Sequence, residues 1–349
     1  MNPRIVSAQE AIDGLDRFNS ILDARSPSEF AEDHLPGAVS LPVLDDEQRA
    51  LVGTQYKQDA FLARRLGAAL VAENIGRHLK GPLAEYPRDW QPLIYCWRGG
   101  QRSNALATIL ARVGWRVTLL DGGYKAFRGR LLELFPGLVD SFEFRVVCGV
   151  TGSGKTRFLD ALSRAGQQVL DLEGLACHRG SLLGAMPDAP QPSQRQFETQ
   201  IWNVLRKLDP ARPVFVESES KKVGNVQIPD ALMLRIRGSA CLTLELSLQD
   251  RVSLLCEEYG HFFESPEPLR NQLHKLLALV GHEQVNRWIE EVDQGRWRQL
   301  VESLLALHYD PSYLRSIDRN FPQRVRGQTI QLEGYQPSDY DAAASSLSL

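Results

Sequence analysis

The sequence predicts an α/β protein of two domains, each built on a mainly parallel sheet, with a helical part at the end of the second. Three observations predict it. Short apolar runs alternate with helically spaced segments through the first 140 residues; a strand, a glycine-rich loop and a helix follow one another around position 150; and three-to-four spacing dominates from Gln249 onward. A chain of 349 residues is long enough for two cores. The expected divisions are a first domain over 1–140, a second over 141–335, and a mobile tail over 336–349, where apolar residues become sparse.

Composition narrows the function classes. Net charge is −3 with a pI of about 6.2, and the charges are well mixed, so no basic tail advertises nucleic acid. Any such binding requires a local patch assembled by folding. No cationic-then-apolar leader and no apolar run of membrane-spanning length is present, so a cytoplasmic protein without membrane contact is expected. Five cysteines, odd in number and without a C-x-x-C pair, suit neither a disulfide framework nor a zinc site.

In the first domain, Ile21-Leu-Asp-Ala24 is a short apolar strand, and Pro36 and Gly37 punctuate the turn before a strand resumes at Val39. Apolar side chains from Phe61 to Ile75 recur at helical spacing, predicting a helix over about 57–79. Pro92-Leu-Ile-Tyr-Cys96 is a strand, Ser103 to Val113 a helix, and Arg116 to Asp121 a strand. Gly122-Gly-Tyr-Lys-Ala-Phe-Arg128 then opens another helix.

Ligands of such sheets sit beyond the carboxyl ends of strands, which is where Cys96 falls. It heads the loop Trp97-Arg98-Gly99-Gly100-Gln101-Arg102, just before a helix. A helix N-terminus and guanidinium groups at Arg98 and Arg102 are the surroundings that favour a thiolate. Gly99 and Gly100 free the backbone to curl its N–H groups around an anion. A thiolate so cradled is a nucleophile able to hold a transferred atom. Trp97 reads equally as an apolar wall over the site or as core.

Asp23-Ala-Arg25, Glu29-Phe30, His34-Leu-Pro-Gly-Ala38 and the Cys96 loop together resemble a rhodanese domain, the sulfur-transfer fold. One departure matters. Ordinary rhodanese loops place arginines one and five positions after the cysteine, whereas here they lie two and six positions after it. That wider Cys-x5-Arg spacing is shared with the rhodanese-like cell-cycle phosphatases, and it suits a tetrahedral, phosphate-bearing donor.

The second domain opens with the strand Val146-Val-Cys148, the loop Gly149-Val-Thr151-Gly152-Ser153-Gly154-Lys155-Thr156, and a helix from Arg157. The loop fits G-x-x-x-x-G-K-[ST] in its required context between strand and helix. Its N–H groups cradle a polyphosphate, Lys155 reaches the outer oxygens, and the Thr156 hydroxyl suits Mg²⁺. A strand ending at Asp171 and another ending at Glu217 each offer a carboxylate for that metal, and Glu217 is mildly preferred. His178 and Arg179 are candidates for charge beside the phosphates, and Ser193 to Gln196 reads as a capping box. Cys148, Cys241 and Cys256 read as core; Cys177 receives no role. Lys221-Lys222, Arg235, Arg237 and the arginines from Arg315 to Arg326, interleaved with Tyr313 and Phe321, are an alternative to a merely solvated face: they could grip RNA and stack a base.

A thiol-transfer loop joined to a phosphate loop resembles the bacterial tRNA 2-selenouridine synthase family over nearly the whole chain. The residues that carry the resemblance are Cys96 to Ser103, Gly122 to Arg128, Gly149 to Thr156, Asp171 to Leu175 with His178 to Ser181, and Glu217-Ser-Glu-Ser220. It implies replacement of sulfur by selenium in 2-thiouridine at the tRNA wobble position. In that family a geranyl group from geranyl diphosphate is first placed on the sulfur, and selenium from selenophosphate then displaces the geranylthio group. Carried over, Cys96 handles selenium and the Trp97–Arg102 loop binds the donor's phosphate. Gly149, Thr151, Gly152, Ser153, Gly154, Lys155, Thr156, His178 and Arg179 would hold the diphosphate, with Mg²⁺ on Thr156 and either Asp171 or Glu217. The loop alone leaves open whether the diphosphate belongs to geranyl diphosphate or to a nucleotide. A selenophosphate-supplying enzyme is a further implied partner. Two other readings use the same motifs: a Cys-x5-Arg phosphatase, and a nucleotide kinase bearing a non-catalytic rhodanese module.

Overall fold

The computed structural model describes residues 2–180, 184 and 190–347. The chain divides into two compact units: residues 1–135 with 195–203, and residues 136–194 with 204–349. The first division thus falls at Pro136, inside the helix Gly123–Asp140, rather than after residue 140. A second difference is that Arg195–Asn203, from the segment expected to be wholly in the second domain, joins the first unit. Polar pairs explain it: Thr199 donates to the buried Asp33 carboxylate at 2.9 Å, and Arg128 pairs with Glu198.

The first unit holds a five-stranded parallel sheet made of β1 (Arg4–Val6), β2 (Ser20–Asp23), β3 (Ala38–Ser40), β4 (Pro92–Tyr95) and β5 (Thr118–Leu120), in the order β1-β5-β4-β2-β3. Strand β4 runs between β5 and β2 with all four residues buried, as a strand covered on both faces must be. Ile94 and Leu22 pack with Leu106 and Leu110 of the helix Gln101–Val113 in one core. The helix expected over about 57–79 is Ala60–Lys80, and a separate helix, Asp46–Gln58, precedes it. Asp59 separates them, because its carboxylate accepts the Phe61 and Leu62 N–H groups as an N-cap. Phe61, read as part of a buried face, is exposed at that new helix start.

The second unit has its own parallel sheet. Its strands are β6 (Phe144–Cys148), β7 (Gln168–Leu170), β8 (Val214–Glu217), β11 (Ala240–Glu245) and β12 (Gln328–Gln331), in the order β12-β11-β6-β8-β7. Two-residue strands β9 (Lys222–Val223) and β10 (Val226–Gln227) form a separate hairpin. The helical stretch expected from Gln249 is present, with a core of Leu269, Leu273, Val285, Trp288 and Leu300. The mobile tail expected over 336–349 is a correction: Pro337–Ser345 is a helix that buries Tyr340 and Ala344. Its start is fixed by Pro337 in the first turn and by reciprocal bonds between Gln336 and Asp339.

Candidate active sites

In the first unit, β4 delivers Cys96 to the carboxyl edge of the sheet, 3% exposed. The Ser103 hydroxyl, in the first turn of the following helix, lies 3.0 Å from the sulfur and 3.2 Å from the Gly100 carbonyl, and can donate to either. The loop between them is braced by the Gly122-Gly123 turn. Tyr124 N–H donates to the Cys96 carbonyl at 2.8 Å and Lys125 N–H to that of Trp97 at 3.0 Å. A methyl group on Gly123 would collide with the Cys96 carbonyl and the Gly99 nitrogen, and φ of +56° there also favours glycine. Gly99, at φ +63°, is also confined: a methyl group there would lie 2.9 Å from the Gly122 nitrogen. This explains physically why a glycine pair belongs 26 residues beyond the cysteine.

The arginines take different places. Arg98 and Gln101 are exposed at the loop. Arg102 is half-buried and donates to Glu29 at 2.6 Å, and Arg49 reaches the same carboxylate at 3.0 Å. Burial raises the Glu29 pKa, but Arg102, the Ser26 N–H and Arg49 together outweigh it and leave the carboxyl below its ordinary value. Sequence reading quoted Glu29 without giving it this role. Trp97 is half-buried and stacks on Tyr124 at 5.4 Å, so it is both wall and packing element. The Tyr124 hydroxyl in turn donates to Asp33 at 2.7 Å.

In the second unit, β6 feeds the loop Gly149–Gly154 and the helix Lys155–Arg164, the predicted strand–loop–helix. Gly152 and Gly154 have φ of +78° and +74°, the conformation that turns successive N–H groups inward. Arg251, paired with Asp310 at 3.0 Å, holds the Thr151 carbonyl at 2.9 Å and fixes the loop from behind. Lys155 donates to the Gly149 carbonyl at 3.1 Å. Burial lowers its pKa, but Tyr313, Glu173 and Glu219 raise it further, so Lys155 is a firm cation. Ser153 Oγ is buried without a protein partner.

The loop opens on a cleft of about 540 Å³, lined among others by Thr151, Gly152, Gly154, Lys155, Thr156, Asp171, Glu173 and Arg179. The Thr156 hydroxyl donates to Glu173 at 3.1 Å. Of the two expected metal carboxylates, Asp171 lines the cleft but caps the helix Leu172–Ala176, accepting the Gly174 N–H at 2.7 Å. Glu217 is buried, and one of its oxygens accepts the Glu173 N–H at 2.7 Å. Burial, reinforced by Asp171, Glu173 and Glu219, pushes its pKa up. Glu217 therefore steadies Glu173, and Glu173 is the carboxylate that meets Thr156. Sequence reading passed over this residue; its signal is the Asp171-x-x-Gly174 cap, which turns Glu173 toward the loop.

Among the described residues no three or more His, Cys, Asp or Glu side chains cluster as a metal cage. Magnesium beside a bound polyphosphate usually takes one or two protein oxygens with phosphate and water completing its shell. The Thr156 hydroxyl, Glu173 and the nearby Asp171 fit that donor set.

Burial lowers the His178 pKa against the opposing pull of Glu173, and the His178 Nδ1 is buried without a protein partner. Arg179 lines the cleft, over the Tyr259 ring at 4.9 Å and 3.5 Å from Glu258. Ser181 lies outside the described residues. Tyr313 and Phe321, offered as stacking partners for an RNA base as the alternative to a solvated face, both line the polar cleft. The Tyr313 hydroxyl accepts the Gly149 N–H at 2.8 Å, and Phe321 is buried.

Comparison with known proteins agrees with both halves. A family model described as the tRNA 2-selenouridine synthase AAA domain matches residues 142–265, and one described as the rhodanese-like domain matches residues 7–130. The chain is 33% identical to a tRNA 2-selenouridine synthase of Nitrosomonas europaea, covering 86% of this chain and 89% of the relative. It is 33% identical to one of Alcanivorax borkumensis, covering 90% and 92%, and 35% identical to one of Marinobacter nauticus, covering 84% and 87%. With a cysteine loop and a phosphate loop each built as described, this chain belongs to the tRNA 2-selenouridine synthase family.

Proposed function

We propose that this protein is a transferase that replaces sulfur by selenium in 2-thiouridine at the wobble position of tRNA, in two steps on one nucleoside. In the first, the bond between geranyl C1 and its diphosphate oxygen breaks, C1 bonds to the 2-thio sulfur, and the uridine N3 proton is released. In the second, the selenium of selenophosphate bonds to C2 as the C2–S bond breaks and geranylthiol leaves, and water then cleaves the P–Se bond to release phosphate and 2-selenouridine. The order is chemically sound, since a thiocarbonyl sulfur leaves poorly and an alkylated sulfur leaves readily.

The phosphate loop takes the first step. Its N–H groups, Lys155 and Arg179 bind the diphosphate and stabilise the charge that develops as it departs. The chemistry Mg²⁺ would supply at Thr156 and Glu173 is neutralisation of that same charge. The Cys96 loop takes the second step, with the thiol handling selenium and Arg98 and the Gly99–Gly100 backbone facing the donor's phosphate. Arg102 contributes once its bond to Glu29 is exchanged for one to the donor. Both steps act on tRNA, which makes the cytoplasm the place of action. Among the described residues no helix is long and apolar enough to cross a membrane.

The observation that supports this reading most is that one chain of this family carries both loops complete, each with its bracing residues in place. Nucleoside mass spectrometry of tRNA from cells expressing each variant tests it. Lys155→Ala is expected to abolish both geranylated and selenated uridine, and Cys96→Ala to leave the geranylated form and stop selenation. Geranylated tRNA persisting with Lys155→Ala would sink the division of labour.

A further inference from the structure

The cleft at the phosphate loop does not end at its polar residues. Thr151, Leu255, Tyr259 and Tyr309 are also walls of a second, narrower slot. Beyond those shared walls the slot is lined by residues that include Phe262, Phe263, Leu269, Trp297, Leu300 and Leu304, with no charged side chain among the described lining residues. Phe263 and Trp297, both half-buried, stack at 4.5 Å with their planes 16° apart, and neither lines the polar cleft.

An apolar slot of this kind holds water poorly, because a buried water needs two to four polar partners. Its open volume is about 50 Å³, so it takes the end of a chain that enters from the polar cleft rather than a whole ligand. A nucleobase would leave its ring nitrogens and carbonyls without partners there, a loss that polar groups do not tolerate on burial. The ligand that satisfies cleft and slot together has a diphosphate head and a short hydrocarbon tail. Tyr259 stands at the junction, one face under the Arg179 guanidinium and the ring shared with the slot.

We infer that this slot seats the isoprenoid chain of the diphosphate donor, and that the Phe263–Trp297 stack limits the chain length it accepts. The inference rests on the reading of the phosphate loop as a prenyl-diphosphate site and adds the residues that select the donor.

The test uses the full-length protein, tRNA containing 2-thiouridine, and dimethylallyl, geranyl and farnesyl diphosphates as competing donors, with products resolved by nucleoside mass spectrometry. Wild type is expected to prefer the ten-carbon donor. Phe263→Ala and Trp297→Ala should each raise the farnesyl-to-geranyl ratio of kcat/KM by about tenfold, and Leu300→Trp should lower geranyl transfer more than dimethylallyl transfer. Ratios within twofold of wild type in both alanine variants, with geranyl transfer continuing, would overturn the inference while leaving the donor reading intact. Transfer from none of the three donors by wild type would instead overturn the donor reading, and the slot's role with it. Should the alanine variants fail to fold, calorimetry on wild type decides. Geranyl diphosphate is expected to bind roughly a hundredfold more tightly than inorganic diphosphate, and equal affinities would overturn the inference.

Discussion

Glu29 holds Arg102, the second arginine of the cysteine loop. It sits in the first turn of the helix Pro27–Glu32, returns a bond to the Ser26 N–H at 3.2 Å, and takes Arg102 and Arg49 on the same carboxylate. Hydrogen bonds between charged, partly buried groups contribute about 2 kcal/mol each, so Arg102 is held in one place by Glu29. Because the Glu29 pKa is lowered on folding, its contribution is fully present above the unfolded carboxyl value of about 4.3. It is lost as pH falls through the lower folded value. Chemical denaturation of wild type and Glu29→Gln should therefore differ by about 2 kcal/mol near pH 7, and the gap should close in acid below about pH 4. A gap that stays constant down to pH 3 would show that the charge on Glu29 does not matter. The Cys96 cradle was legible from sequence because thiol, glycines and arginines are contiguous; Glu29 was not, because its partner lies 73 residues away.

At the scale of elements, the helix Pro337–Ser345 shows where local reading stops. Its sequence is poor in large apolar residues, and composition alone marks it as a tail. One aromatic side chain reverses that. Tyr340 is fully buried in the core of the second unit with Val147, Phe158 and Leu162, and its hydroxyl lies 3.4 Å from the Ser153 carbonyl of the phosphate loop. A methyl group on Gly154 would strike the Tyr340 ring, so the third glycine of the motif is needed both for its φ of +74° and for this contact. Truncating a buried aromatic ring typically costs about 3–5 kcal/mol. Tyr340→Ala should lose about that much in denaturant unfolding and weaken inorganic diphosphate binding, whereas Tyr340→Phe, which keeps the ring, should lose less than about 1 kcal/mol. Equal losses in the two variants would mean that the hydroxyl, not the ring, supports the loop. Strand β12 was missed for a related reason: it pairs only with β11, and four residues of mixed polarity carry no periodic signal of their own.

For the molecule as a whole, the two motifs made the architecture legible because each is a local strand–loop–helix signal with a fixed chemical need. What sequence left open was the partition of the chain, since the Asp33–Thr199 and Arg128–Glu198 pairs that draw Arg195–Asn203 into the first unit join positions 166 and 70 residues apart. Each unit also carries its own buried core, one around Ile94 and Leu106, the other around Val147 and Phe158. A ligand that binds only the folded phosphate loop stabilises the chain by mass action, by about 2.7 kcal/mol at a hundred times its Kd. Differential scanning calorimetry with magnesium and inorganic diphosphate should thus raise the melting temperature of the transition that includes the second unit by roughly 5 °C or more. Lys155→Ala should erase that shift, because the loop then loses its fixed cation, while Cys96→Ala should keep it in full. A shift that survives Lys155→Ala, or that disappears with Cys96→Ala, would place the diphosphate somewhere other than the Gly149–Thr156 loop and remove the physical basis for assigning the two chemical steps to two separate loops.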